Sequence, residues 1–202
     1  PRMCVKPATA TPMQEASVWA TDDALALSFT TRYAEDWRYC AAWGKWLLWD
    51  GRRWQADDTL LVQHFVRAVC REAALKADSH RLAAKLAASG TVGGVERLAR
   101  TDRRHAATAE VWDANPYALN TPNGVVDLRS GRLRPHDRGE HHTRLATATA
   151  RGDCIRWRAF LGDVTGGDAD LQAYLQRMAG YCLTGATSAH ALFFLYGTGA
   201  NG

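Results

Sequence analysis

An apolar run, Ala191-Leu192-Phe193-Phe194-Leu195-Tyr196, leads straight into Gly197-Thr198-Gly199-Ala200-Asn201-Gly202, where the sequence stops. No other segment constrains the fold as much. Six apolar residues ahead of Gly197-x-x-x-x-Gly202 read as a buried strand delivering the first part of a G-x-x-x-x-G-K-[ST] phosphate loop. Glycine lets the backbone take positive φ and approach a pyrophosphate closely. Successive backbone N–H groups then cradle the phosphate oxygens. The Lys and Ser/Thr that complete the motif would follow Gly202. The competing reading is a glycine-rich turn after a core strand. The phosphate-loop reading makes Gly197, Thr198, Gly199, Ala200, Asn201 and Gly202 candidate nucleotide-binding residues. It also sets the expectation that the chain is one piece of a longer protein, cut inside the loop.

The residues before the loop have their own organisation. An apolar content of 47% with eight Trp is enough for a real core. No apolar run approaches the ~20 residues of a membrane span. Pro1 opens the chain without a signal peptide, so the N-terminus is expected to be cut as well. Cys4, Cys40, Cys70, Cys154 and Cys182 are scattered without a C-x-x-C pair. They read as reduced core thiols of a cytosolic protein, with no zinc site.

The net charge of +4 is uneven. Residues 1–79 hold ten Lys/Arg and ten Asp/Glu, and residues 151–202 hold four of each. Residues 80–150 hold eleven against seven, so the whole excess sits there. A localised basic surface is the footprint expected of nucleic-acid binding. The plainer alternative is a solvated face.

Local patterns divide the chain. Residues 1–17, rich in Pro, Thr and Ala, read as a linker. Thr21 is placed to cap a helix carrying Leu25, Phe29 and Tyr33 on one face. Trp37, Trp43, Trp46, Trp49 and Trp54 crowd a segment in which Lys45–Asp50, Gly51 and Arg52–Trp54 form a hairpin. Their rings fit core and hairpin packing, with stacking on single-stranded bases as the alternative. Residues 58–89 read as two helices, the first with Leu60, Leu61, His64, Phe65, Ala68 and Val69 inward. Gly90, Gly93 and Gly94 punctuate. Val95–Ala107 reads as a further helix, placing Arg97, Arg100 and Arg104 on one face along a phosphate backbone or simply in water.

Residues 118–138 hold two turn signals, Asn123-Gly124 and Ser130-Gly131. A two-residue turn at Ser130-Gly131 would set Leu128 opposite Leu133, Asp127 opposite Arg134 and Arg129 opposite Arg132. A polyanion would relieve that last like-charge pair. A longer loop would separate the two. Arg129, Arg132 and Arg134 therefore join the candidate nucleic-acid contacts. Beyond 151, Asp153 and Asp168 read as caps of two helices, the second with Leu171, Tyr174, Leu175 and Met178 inward. No Ser/His/Asp triad, catalytic carboxylate pair or metal cluster stands out.

Three blocks resemble the phage and plasmid primase-helicases, whose motor is a superfamily 3 helicase of the AAA+ class. One is Thr21-Asp22 with Trp46-Leu47-Leu48-Trp49-Asp50-Gly51-Arg52-Arg53-Trp54. Another is Leu119-Asn120-Thr121-Pro122-Asn123-Gly124-Val125-Val126-Asp127-Leu128 with Ser130-Gly131. The last is Phe160-Leu161, Leu175-Gln176-Arg177 and Gly180-Tyr181 with the terminal glycine loop. The resemblance implies an α+β pre-helicase domain of helices and short antiparallel hairpins over residues 18–150. It places the start of an α/β P-loop helicase domain at 151–202. It further implies ATP and Mg²⁺ as cofactors of the intact protein, single-stranded DNA as partner, a homo-hexameric ring and a bacterial or phage-infected cytoplasm. No ATPase activity is expected of residues 1–202 alone, because the Lys, Ser/Thr and Walker B acids lie outside them. The alternatives are another P-loop enzyme, such as a small-molecule kinase, and a non-enzymatic DNA-binding module.

Overall fold

The computed structural model describes residues 18–196. The linker expected at 1–17, Cys4 and the glycine loop Gly197–Gly202 lie outside the described residues. The chain forms two compact units. One comprises residues up to Trp49 with Gln55–Ala109, the other Asp50–Trp54 with residues from Glu110 onward. The class is α+β, as the sequence implies.

In the first unit, helix α1 (Asp22–Tyr33) starts where Thr21 accepts the Ala24 N–H, with Asp22 and Asp23 in its first turn. Both features favour a helix N-terminus. Strand β1 (Trp37–Cys40) pairs antiparallel with β2 (Lys45–Trp49), placing Trp37 opposite Leu48 and Tyr39 opposite Trp46. Residues Asp50–Trp54 belong to the second unit and form a turn in which Asp50 accepts the N–H groups of Arg52 and Arg53, and strand β3 (Trp54–Ala56) continues from it. Helices α2 (Leu61–Leu75), α3 (His80–Leu86) and α4 (Ser89–Ala99) come next. Strand β4 (Ala106–Ala107) runs parallel to β1 and completes a sheet of order β3-β2-β1-β4.

The core is the seam where α1, α2 and α4 meet this sheet. Phe29, Trp37, Val66, Cys70, Leu86 and Val95 are fully enclosed, and the Trp46 ring meets Trp37 and Phe29 edge-on. Trp37 and Trp46 are thus packing residues rather than base platforms, and so is Trp54, buried against Trp112 in the second unit. The inward face of α2 is Val62, Val66, Val69, Cys70 and Ala73. Of the expected face, Val69 is buried and Leu61 and Phe65 pack against the core, whereas Leu60 and His64 do not. Leu60 stands outside the helix in left-handed conformation, and His64 is exposed on the opposite side. Asp57 sets the phase, accepting the N–H groups of Leu61 and Val62 at 2.9 Å each and so fixing where the helix begins.

The expected helix at Val95–Ala107 is also corrected. It starts earlier, at Ser89, and stops at Ala99. Gly90, Gly93 and Gly94 lie inside it instead of preceding it. At Gly94 a Cβ would stand 2.3 Å from Asp22 Oδ2, so the missing side chain lets α4 approach the start of α1. The helix ends because Thr101 Oγ1 bonds the Leu98 carbonyl and Asp102 accepts the Arg104 N–H. This turn carries His105 into the core, where it is fully buried.

In the second unit, β5 (Ala118–Thr121), β6 (Gly124–Asp127) and β7 (Leu133–Arg134) form an antiparallel meander. Gly124 has φ +137°, and a Cβ there would come within 2.4 Å of the Arg134 carbonyl oxygen. Only glycine lets β7 lie this close.

Helices α5 (Ile155–Val164) and α6 (Ala169–Cys182) follow. Asp168 caps α6 as expected, accepting the Leu171 N–H at 3.0 Å, but Asp153 does not cap α5. No residue of either helix is buried, so the inward packing expected of Leu171, Tyr174, Leu175 and Met178 does not form among the described residues. The expected strand at Ala191–Tyr196 is absent too, and Leu192, Phe194, Leu195 and Tyr196 are exposed. A strand exists only by pairing its N–H and C=O groups with a neighbour. None of the described strands lies beside this segment.

Candidate nucleic-acid interface

Two groups of arginines were candidates, and each unit holds one. In the first unit, Arg97, Arg100 and Arg104 do not form the single helical stripe expected of them, since α4 ends before Arg100. Arg97 is exposed on the last turn, without an ion-pair partner among the described residues. Arg100 is committed inward. Its Nε donates to Glu96 Oε1 at 2.6 Å, and its guanidinium lies 5.2 Å from the centroid of the Tyr39 ring. Glu96 is itself buried and also accepts the Trp46 indole N–H at 2.5 Å. The hydrogen bond that Arg100 donates to Glu96 raises the Arg100 pKa more than burial lowers it. Arg104 pairs with Asp102 at 2.8 Å, and that hydrogen bond likewise raises its pKa.

In the second unit the Ser130-Gly131 turn is longer than two residues, which corrects the expected register. Val126 faces Leu133, Val125 faces Arg134, and the Asp127 N–H reaches the Arg132 carbonyl at 2.9 Å. Asp127 is the reason. Its carboxylate gathers the N–H groups of Arg129 and Ser130, which closes the loop around itself. The same two donors hold the Asp127 pKa down. Arg129 therefore sits in the loop, away from Arg132, and the like-charge pair is gone.

The Arg129 guanidinium lies over the Tyr117 ring, its Cζ 3.9 Å from the centroid. Asn115 positions Tyr117 by accepting its N–H at 3.0 Å. Asn115, Pro116, Tyr117, Asp127 and Arg129 line a shallow depression. Arg132 is exposed. Arg134 is occupied by a close ion pair with Glu140, whose other oxygen meets His142 Nε2 at 2.9 Å. Burial lowers the His142 pKa, against the opposing pull of Asp113. His142 is a neutral strut in this network.

Arg97, Arg129 and Arg132 are thus the candidates left facing solvent, while Arg100, Arg104 and Arg134 are tied to carboxylates. Tyr117 escaped sequence reasoning, although Asn115-Pro116 ahead of it is a turn signal that could have drawn attention. Nothing in the sequence marked Glu96 as the partner of Trp46. Among the described residues, no three His, Cys, Asp or Glu side chains stand close enough to hold a metal ion.

Residues 26–166 match the family described as D5 N terminal like. The chain belongs to this family, the N-terminal region of phage and plasmid primase-helicase proteins. Its context is DNA replication. No curated protein matches the chain.

Proposed function

We propose that this chain is part of a phage or plasmid replicative primase-helicase that unwinds DNA using ATP, and that the part seen here supplies contact with single-stranded DNA. The observation that carries the reading is family membership over residues 26–166, followed within the same chain by Gly197-x-x-x-x-Gly202. In this reading the helicase begins near residue 151. Gly197, Thr198, Gly199, Ala200, Asn201 and Gly202 hold nucleotide phosphates, with ATP and Mg²⁺ bound in the intact protein. The intact protein assembles as a homo-hexamer in the cytoplasm of a bacterial or infected cell. Arg97, Arg129 and Arg132 face solvent and are available to phosphates, which dominate affinity for nucleic acid.

ATP hydrolysis by the full gene product, with and without single-stranded DNA, tests the reading. Hydrolysis stimulated by DNA and abolished by Gly202→Val is expected. A full product that hydrolyses no ATP in the presence of DNA rules the motor out.

A further inference from the structure

The basic excess of the sequence lies at residues 80–150, yet several of those arginines are neutralised in the fold. A further group of unpaired cations starts ahead of that segment, on α2. Helix α2 carries three charged side chains, Arg67, Arg71 and Glu72. Glu72 is turned toward α1, where Arg32 binds it at 2.6 Å. Arg67 and Arg71 are exposed and have no carboxylate partner among the described residues. Together with the exposed His64 they occupy i, i+3 and i+7 on the side of α2 directly opposite its buried Val62-Val66-Val69-Cys70-Ala73 face. That spacing sets them about 4.5 and 6 Å apart along the axis.

Helix α3 packs against α2 and has no acidic residue of its own. Its Arg81 and Lys85 are exposed one turn apart, also without carboxylate partners among the described residues. Lys76 lies in the connection between the helices, where Asp78 is the single acid. A helix usually interleaves signs along its solvent side for i,i+4 support. The α2–α3 pair does not, and its one helical carboxylate is already neutralised from behind.

We propose that the outward side of the α2–α3 helical hairpin, centred on Arg67 and Arg71, is a docking surface for the phosphate backbone of single-stranded DNA. This rests on the DNA-contact reading above and places the principal contact on residues that reading does not use. Two guanidiniums one turn apart can each take a phosphate oxygen pair, with His64 extending the track along α2 and the exposed Arg81 and Lys85 adding positive charge on α3. Recognition is by charge, so it is independent of base sequence.

The test is fluorescence anisotropy of a labelled 20-nucleotide single strand with the chain as it stands, across a salt series. Arg67→Glu/Arg71→Glu is compared with a charge-matched control on α5 and α6, Arg156→Glu/Arg177→Glu, and circular dichroism verifies that each variant folds. The milder Arg67→Gln/Arg71→Gln pair is carried alongside in case the reversal unfolds the helix. The proposal predicts about a tenfold loss of affinity at low salt for the α2 pair, with the slope of log K against log salt shallower by about 1.4. The control should change far less. Equal losses in both variants mean that bulk charge alone binds, and overturn the proposal. Binding unchanged by the α2 variants overturns it too, but leaves the DNA-contact reading standing on other residues. If the unaltered chain binds no single strand, both fall. Preference for a duplex of the same sequence over the single strand reassigns the surface and contradicts the partner named here.

Discussion

The buried Glu96 carboxylate on α4 accepts the indole N–H of Trp46 on β2 at 2.5 Å, across fifty residues of chain. The same oxygen takes the Arg100 guanidinium at 2.6 Å. A buried carboxylate is tolerable only when such donors replace water. This one ties helix to sheet at the centre of the first unit.

Removing that acceptor strands the Trp46 indole and releases Arg100 to water. Glu96→Leu is expected to destabilise the fold by about 2 kcal/mol, because the buried Trp46 indole N–H loses its acceptor while the part-exposed Arg100 guanidinium can turn to water. Glu96→Gln keeps an oxygen for Trp46 but not the charge for Arg100, and should cost about 1 kcal/mol. Urea unfolding followed by tryptophan fluorescence separates the two. Equal costs would mean that the charge, lost in both variants, carries the effect and the Trp46 hydrogen bond none of it.

Two glycines should respond in opposite directions. Gly124→Ala forces a Cβ against the Arg134 carbonyl at φ +137° and should cost about 3 kcal/mol or more. Gly93 lies inside α4 with a helical backbone, and its nearest obstacle is the Arg97 side chain at 3.4 Å. Gly93→Ala should therefore stabilise by about 0.5–1 kcal/mol. Thermal melts of both variants check the signs.

His105 makes stability depend on pH. Its Nδ1–H donates to the Trp37 carbonyl at 3.0 Å, and Nε2 is buried without a hydrogen-bond partner. Phe29 and Trp46 surround the ring. Burial lowers its pKa below the ordinary 6.5, outweighing the Trp37 bond and the Asp102 charge that favour protonation. The folded state then binds fewer protons than the unfolded state once pH falls below about 6.5, so stability is full above that value and is lost below it. His142 has the same sign, for the same reason. Unfolding free energies at pH 7.5 and 5.5 should show the fall, and His105→Phe should reduce it. A fall of unchanged size in that variant would clear His105 of the effect.

What the sequence reveals and what it hides follow from range. Thr21 with Leu25, Phe29 and Tyr33, Asp168, and the two helices within 58–89 are local signals, and the fold keeps them. The end of α4 is not local. Arg100–Ala107 has ordinary helix formers, but His105 must reach the cage of Phe29, Trp37 and Trp46, and the chain turns at Asp102 to deliver it. The Ser130-Gly131 register fails for a similar reason, since one carboxylate at Asp127 lengthens the loop. Spacing in the sequence marks the candidate arginines, whereas their availability depends on which carboxylates the fold brings to them. The apolar runs beyond 155 read as packed elements, yet burial requires a partner surface that the described residues do not provide.

The most direct test of the account is the affinity of this chain for a short single-stranded DNA at 50 and 200 mM salt. Binding at the lower salt that weakens steeply at the higher is expected, as phosphate contacts require. Absence of binding at 50 mM, or an affinity indifferent to salt, would contradict it.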